Sequence, residues 1–159
     1  MKRDYQNILL ATDFSRFSEN AAKQAMNIAS YCNETKLTFM HVVDEDYYDE
    51  FDSVFSRLAT DNSDTGNLRR DDLLEYAREQ MVVFVNKLEA NDVHTEVVKG
   101  LPRKAILSYA KKKNVDLIVM GAHGRHGLAR LLGSTTNNVM NNAKCDVLAV
   151  YLREEMERH

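Results

Sequence analysis

The sequence predicts an α/β domain with a doubly wound parallel sheet and helices on both faces. Short apolar runs alternate with amphipathic stretches in the order β-α-β-loop-α-β-α-β-α-β, and such alternation calls for right-handed crossovers between parallel strands. The most apolar run, Val115-Asp116-Leu117-Ile118-Val119-Met120, leads straight into a glycine-rich stretch, the punctuation of a strand–loop–helix unit. The chain's 159 residues suit one domain, and neither an internal repeat nor a linker divides them.

Each element follows from local pattern. Ile8-Leu9-Leu10-Ala11-Thr12 is a buried strand, and Ser15 or Ser18 can cap the helix after it. In that helix Ala22, Ala25, Ala29 and Cys32 share a face. Leu37-Thr38-Phe39-Met40-His41-Val42-Val43 is the second strand. Residues 44–70 are acidic at first and then polar at Asp61-Asn62-Ser63-Asp64-Thr65-Gly66-Asn67, which predicts a long loop with at most a short helix around Val54, Phe55 and Leu58. Leu74, Ala77, Met81, Phe84 and Leu88 then make one apolar stripe of a helix. Thr95-Glu96-Val97-Val98 is a short strand ending at Gly100, and Pro102 starts a helix that buries Ala105, Ile106, Tyr109 and Ala110. Lys111-Lys112-Lys113 falls in its last turn, where cations suit the helix dipole. After the fourth strand, a last helix covers about Thr136 to Ala143, and Val147-Leu148-Ala149-Val150-Tyr151 closes a domain spanning residues 1–152. Residues 153–159 form a charged tail.

Composition excludes several classes of function. Hydrophobic residues make up 44% and charged residues 28%, the balance of a soluble globular domain. A net charge of -3 offers neither a basic nucleic-acid surface nor a polybasic membrane anchor. No window is long and apolar enough to span a membrane, and Met1-Lys2-Arg3-Asp4-Tyr5 lacks the apolar core of a signal peptide, so a cytoplasmic protein is expected. Cys32 and Cys145 form no CxxC pair and read as two small buried apolar side chains in a reducing compartment.

Two stretches carry chemistry. Gly121, Gly124, Gly127 and Gly133, four of six glycines, lie within thirteen residues between the most apolar strand and a helix. Glycine permits positive φ and close approach of backbone to a ligand, and the free N–H groups of the next helix favour anions. Ser134, Thr135 and Thr136 add hydroxyls, and Arg125, His126 and Arg130 add positive charge, so the stretch is either a phosphate cradle or a tightly turning connector. The second stretch is Ala11-Thr12-Asp13-Phe14-Ser15. Asp13, just past a strand, either accepts from ribose hydroxyls or a metal, or caps the next helix. In a doubly wound sheet ligands bind at the carboxyl edge where strand order reverses. If the order is 3-2-1-4-5, that reversal lies between strands 1 and 4, and Asp13 and the glycine loop would flank one crevice.

In this order along nearly the whole chain, Ala11-Thr12-Asp13-Phe14-Ser15, His41-Val42-Val43-Asp44, Gly100-Leu101-Pro102, Asp116-Leu117-Ile118-Val119-Met120-Gly121 and Gly121-Ala122-His123-Gly124…Gly133-Ser134 resemble the universal stress protein family. The resemblance implies an adenine-nucleotide-hydrolase-like, Rossmann-type fold, five parallel strands in the order 3-2-1-4-5, and a homodimer formed through the last strand. It implies that Ala11 belongs to the nucleotide site, that Thr12 and Asp13 face ribose and phosphates, that Val42 meets adenine, and that Met120 and Gly121 line the base and sugar side. It implies that Gly124, Gly133, Ser134 and Thr135 hold phosphates of ATP, with Mg²⁺. One departure stands out. The family's nucleotide pattern places nine residues between its second glycine and the Gly-Ser/Thr pair, and here Arg125 to Leu132 supplies eight.

The leading expectation is a stress-response, ATP-type nucleotide-binding dimer with at most slow hydrolysis, since no water-orienting base and charge clamp can be identified. The alternative is a nucleotide-free dimeric interaction module whose acidic 44–70 segment recruits a protein partner. A phospho-receiver with Asp13 as acceptor fits poorly, because the acidic cluster for Mg²⁺ is missing. His41, within a strand, reads as a hydrogen-bonded structural histidine, and His123 as a phosphate contact or a solvent-facing turn residue. The histidines show no metal-ligand spacing, and the metal ligands stay unassigned.

Overall fold

The strand β1 (Asn7–Ala11) lies at the centre of the sheet, and its four apolar residues Ile8, Leu9, Leu10 and Ala11 are all buried. The computed structural model describes residues 4–44, 46, 66–123 and 132–152, with backbone alone for 66–72. The expectations for the remainder of the acidic loop, for Gly124 and most of the glycine loop, and for the charged tail fall outside the described residues.

Around β1 the chain adds α1 (Arg16–Ser30), β2 (Lys36–Asp44), α2 (Gly66–Lys87) and β3 (His94–Gly100). It continues with α3 (Pro102–Lys112), β4 (Leu117–Gly121), α4 (Ser134–Asn142) and β5 (Asp146–Val150). The five strands lie in the order β3-β2-β1-β4-β5. Every neighbouring pair is parallel, as the sequence predicts.

Strand residues alternate between two cores. On one face Ile8, Leu10, Phe39, Leu117 and Val119 pack with Ala21, Ala22 and Ala25 of α1 and Met81 and Phe84 of α2. The alanines let α1 approach the sheet closely, and it lies over β4 and β5 as well as β1. On the other face Leu9, Met40, Ile118 and Met120 pack with Ile106 and Ala110 of α3 and Val139 of α4. Two of the described helices therefore cover each face, the doubly wound arrangement.

Several boundaries differ from the sequence pattern, each for a local reason. Residues 66–70, expected as loop, belong to α2, which continues toward the N-terminus beyond its apolar stripe. β4 begins at Leu117 because Asp116 is spent on the sheet's lower edge. Its carboxylate accepts from the Gln6 amide at 2.9 Å and the Asn7 amide at 3.2 Å, and its own N–H donates to the Asn7 carbonyl at 3.0 Å. α4 starts two residues earlier than Thr136, with Gly133 as its N-cap. β3 ends on Gly100 at φ +142°, a conformation that only glycine adopts freely, and Pro102 follows in the first turn of α3. The cysteines are half-buried rather than buried. Burial, followed by the carboxylates of Asp146 and Asp116, raises the Cys145 thiol above its ordinary pKa, so it stays protonated at neutral pH.

One core position carries an avoidable cost. Thr38 of β2 is 1% exposed, and its hydroxyl has no hydrogen-bond partner among the described residues. A buried hydroxyl without a partner is destabilising. Thr38→Val is expected to raise unfolding free energy by about 1 kcal/mol in urea titrations. A loss of stability would show that the hydroxyl is satisfied after all.

Candidate nucleotide site

The carboxyl ends of β1, β2 and β4 meet at one edge. Ala11 is level with Met40 on one side and Met120 on the other. The Thr12 amide continues the ladder to the Met40 carbonyl at 2.9 Å. Beyond this line the chain leaves β1 toward α1, on one face, and leaves β4 toward α4, on the other. The crevice expected at the reversal of strand order therefore opens between β1 and β4.

The turn after β1 is tightly wired. Asp13 Oδ1 accepts from the Ser15 amide at 3.0 Å and from the Ser18 hydroxyl at 2.7 Å. The same Ser18 oxygen accepts from the Asp13 amide at 3.0 Å. Ser15 is the N-cap of α1 and accepts from the Ser18 amide. Thr12 is buried and its Oγ1 takes the Phe14 amide at 3.0 Å. Phe14 stands at φ +63°, a left-handed conformation that non-glycine residues seldom adopt. Ser15, not Asp13, is therefore the N-cap of α1, and Asp13 supports that cap from outside the helix through the Ser15 amide and the Ser18 hydroxyl.

The glycine loop is closed at its base. The Gly133 amide donates to the Ala122 carbonyl at 2.8 Å, and the Ala122 amide to the Val150 carbonyl at 2.9 Å. The Thr136 hydroxyl donates to the Gly121 carbonyl at 2.9 Å and is buried. It is therefore structural rather than one of the loop's available hydroxyls, whereas Ser134 is exposed and Thr135 half-buried. Gly133 makes no side-chain cap to α4, so no cap side chain occupies the first-turn N–H groups. This is the local chemistry of an anion site.

Of the expected site residues, Ala11, Val42 and Met120 have side chains in the α3–α4 core, leaving backbone and packing as their means of contact. Gly121 has no room for more. A Cβ there would lie 3.1 Å from Phe17 Cβ and 3.2 Å from the Phe17 carbonyl carbon, so glycine is what lets α1 sit against β4. His123 is buried between the rings of Phe17 and Tyr151, at 5.7 and 5.5 Å, and its Nδ1 has no partner among the described residues. His41 is hydrogen-bonded, as expected of a strand histidine. Its Nδ1 lies 2.8 Å from the Thr12 carbonyl, and its ring stacks on Phe14 at 4.3 Å. Sequence reasoning missed the roles of Ser18 and Phe14. A serine three residues after the N-cap hints at the first, but nothing local signals the second.

Fold and edge together define a doubly wound α/β domain whose topological switch point lies at the carboxyl ends of β1 and β4. The chain matches the Universal stress protein family over residues 4–151 and belongs to that family. It is 33% identical to universal stress protein A homolog 2 of Coxiella burnetii over 150 residues, covering 94% of this chain and 97% of that one. It is 36% identical to universal stress protein MJ0531 of Methanocaldococcus jannaschii over 150 residues, covering 92% and 82%. Among solved structures it superposes on hypothetical protein MJ0577 with a TM-score of 0.74 at 28% identity, covering 96% of this chain and all of that one. A universal stress protein solved in complex with cAMP superposes with a TM-score of 0.58 at 27% identity, covering 94% and 98%.

The fit at Gly121 is open to test. Gly121→Ala forces Phe17 and the backbone of α1 to yield, and overpacking of this kind costs about 1–3 kcal/mol. Thermal unfolding of the variant is expected to begin at clearly lower temperature. An unchanged melting curve would mean that α1 shifts freely.

Proposed function

We propose that this chain is a cytoplasmic, dimeric, stress-response regulator that binds an adenine nucleotide of the ATP type and turns it over slowly at most. The observation that carries this is the first turn of α4, which has no side-chain cap among the described residues and is tied to the end of β4. A polyphosphate fits that donor set, because main-chain N–H groups at a helix N-terminus stabilise negative charge. In this assignment Gly124, Gly133, Ser134 and Thr135 hold phosphates, and Thr12 and Asp13 address ribose. Val42 meets adenine, Met120 and Gly121 line the base and sugar side, and Ala11 belongs to the same site. The relative solved with cAMP supports an adenine nucleotide as the ligand class. Among the described residues no group of three or more His, Cys, Asp or Glu could hold a metal. Mg²⁺ bound with the nucleotide would be held in part by phosphate oxygens and water.

Bound nucleotide would alter the glycine-loop surface offered to a protein partner, which is how a binder with little turnover can regulate. The eight-residue spacing between Gly124 and Gly133 favours a second reading, a nucleotide-free dimeric interaction module.

Calorimetry distinguishes the two. ATP is expected to bind, with Mg²⁺ strengthening it, and Asp13→Ala to weaken binding by about 1–3 kcal/mol, the scale of losing a charged hydrogen-bond partner. Gly124→Val is expected to do more harm, since a branched Cβ blocks phosphate approach. If ATP, ADP, AMP and cAMP all fail to bind at millimolar concentration, with and without Mg²⁺, the interaction module takes its place.

The dimer rests on β5. Its sequence Asp146-Val147-Leu148-Ala149-Val150 leaves four consecutive apolar residues on a sheet edge, whereas the opposite edge strand, β3, carries His94, Glu96 and Lys99. Charged edges resist pairing and apolar ones invite it. Antiparallel pairing of two copies through the 147–151 segment about a two-fold axis closes the assembly. Light scattering at micromolar concentration is expected to give twice the 18.2 kDa chain mass. Leu148→Lys places a charge in the middle of that strand and is expected to return the monomer. A monomeric wild type would rule the interface out.

A further inference from the structure

We propose that His41 is a positioning residue for the nucleotide crevice, holding the Asp13 turn in its binding geometry from the neighbouring strand. This rests on the nucleotide reading above and adds to it a residue outside the assigned site.

The argument begins with hydrogen-bond chemistry. Carbonyl oxygens only accept, so the 2.8 Å contact between His41 Nδ1 and the Thr12 carbonyl requires Nδ1 to carry the hydrogen. Thr12 is thereby held to β2 twice, by its own amide on Met40 and by its carbonyl on His41. The second hold is aromatic. His41 stacks on Phe14 at 4.3 Å with 29° between the rings, and Phe84 closes the other contact edge-on at 5.7 Å.

These two holds flank Asp13. Before it, Thr12 is fixed by its carbonyl. After it, Phe14 is kept at φ +63°, a conformation that persists only when its surroundings enforce it. Asp13 sits between two residues that one imidazole restrains, with its carboxylate directed by Ser15 and Ser18. A phenylalanine or leucine would fill the same half-buried position on this face. Only a side chain that both donates at Nδ1 and presents a flat ring supplies both restraints.

The test separates position from stability. Nucleotide affinity and melting temperature are measured for wild type, His41→Phe and His41→Asn, each with and without Asp13→Ala. His41→Phe keeps a flat ring and removes the donor, and is expected to weaken ATP binding about tenfold, as for loss of one buried partner. His41→Asn restores an N–H close to Nδ1 without the ring and is expected to bind between wild type and His41→Phe. In the Asp13→Ala background His41→Phe should cost less than about twofold more, because the two act through one turn. Should His41→Phe fail to fold, His41→Asp replaces it, being the same shape as His41→Asn without the donor. Fully additive losses, or a folded His41→Phe that binds like wild type, overturn the assignment. A wild type that binds no adenine nucleotide removes the site itself and this assignment with it, and that result is read before any variant is made.

Discussion

The sheet's reversal of direction at β1 is the constraint on which the rest of the molecule depends. β1 is paired on both sides, to β2 and to β4, so its backbone groups are fully used and its apolar residues have nowhere to go but the two cores. From β1 the chain winds outward one way through β2 and β3, then returns to build β4 and β5 on the other side. Right-handed crossovers then force α1 and α2 onto one face and α3 and α4 onto the other. The exits of β1 and β4 must diverge, and the gap between them is a consequence of topology rather than of any one residue. At the opposite end of the same strands, Asp116 ties the entries of β1 and β4 together through the amides of Gln6 and Asn7. One end of the strand pair is clamped, and the other is left open.

At the other end, Thr12, Asp13 and Thr136 already have hydrogen-bond partners within the fold. Asp13 Oδ1 serves two donors, Thr12 Oγ1 serves the Phe14 amide, and the Thr136 hydroxyl serves Gly121. In the nucleotide reading, the described residues offer a ligand main-chain N–H groups in the first turn of α4 beside the Ser134 and Thr135 hydroxyls. Recognition by backbone dipoles needs small residues and exact placement more than particular side chains. That agrees with the family's persistence at about one-third identity, 33% and 36% for two relatives that the chain matches over most of its length.

The fold was legible because its signals are local. Apolar runs marked every strand, Ser15 marked the start of α1, and Pro102 marked that of α3. Strand order came from resemblance rather than periodicity, which says nothing about which strands pair. The limits of α2 were missed at its N-terminal end, where the polar residues 66–70 carry no apolar stripe, so helix and loop look alike. The candidate site was legible as two stretches and illegible as a network. His41 and Thr12 are 29 residues apart, and only their register in adjacent strands brings them together. The left-handed turn at Phe14 is set by tertiary contacts and has no mark in the sequence, since an aromatic residue is a poor predictor of positive φ.

The shortened glycine loop bears on what the crevice can hold. Its two ends are fixed independently of its length. Gly133 is bonded to Ala122, Thr136 is bonded to Gly121, and Val139 is buried in the core beneath them. Moving the start of α4 would forfeit both hydrogen bonds, about 1 kcal/mol each, and part of the burial of a valine, about 1.5–3 kcal/mol when complete. No single peptide unit missing from a surface loop imposes a cost on that scale, since loop-closure entropy changes only slowly with length. The start of α4 is therefore held at the edge by contacts that lie outside residues 124–131. In the nucleotide reading this divides the phosphate donors into two sets. Those of Gly133, Ser134 and Thr135 are independent of loop length, whereas Gly124 and the residues after it are not. A difference between this chain and nine-residue relatives would then fall on the phosphates that the loop reaches, and would leave the base and ribose contacts of β1, β2 and β4 unchanged.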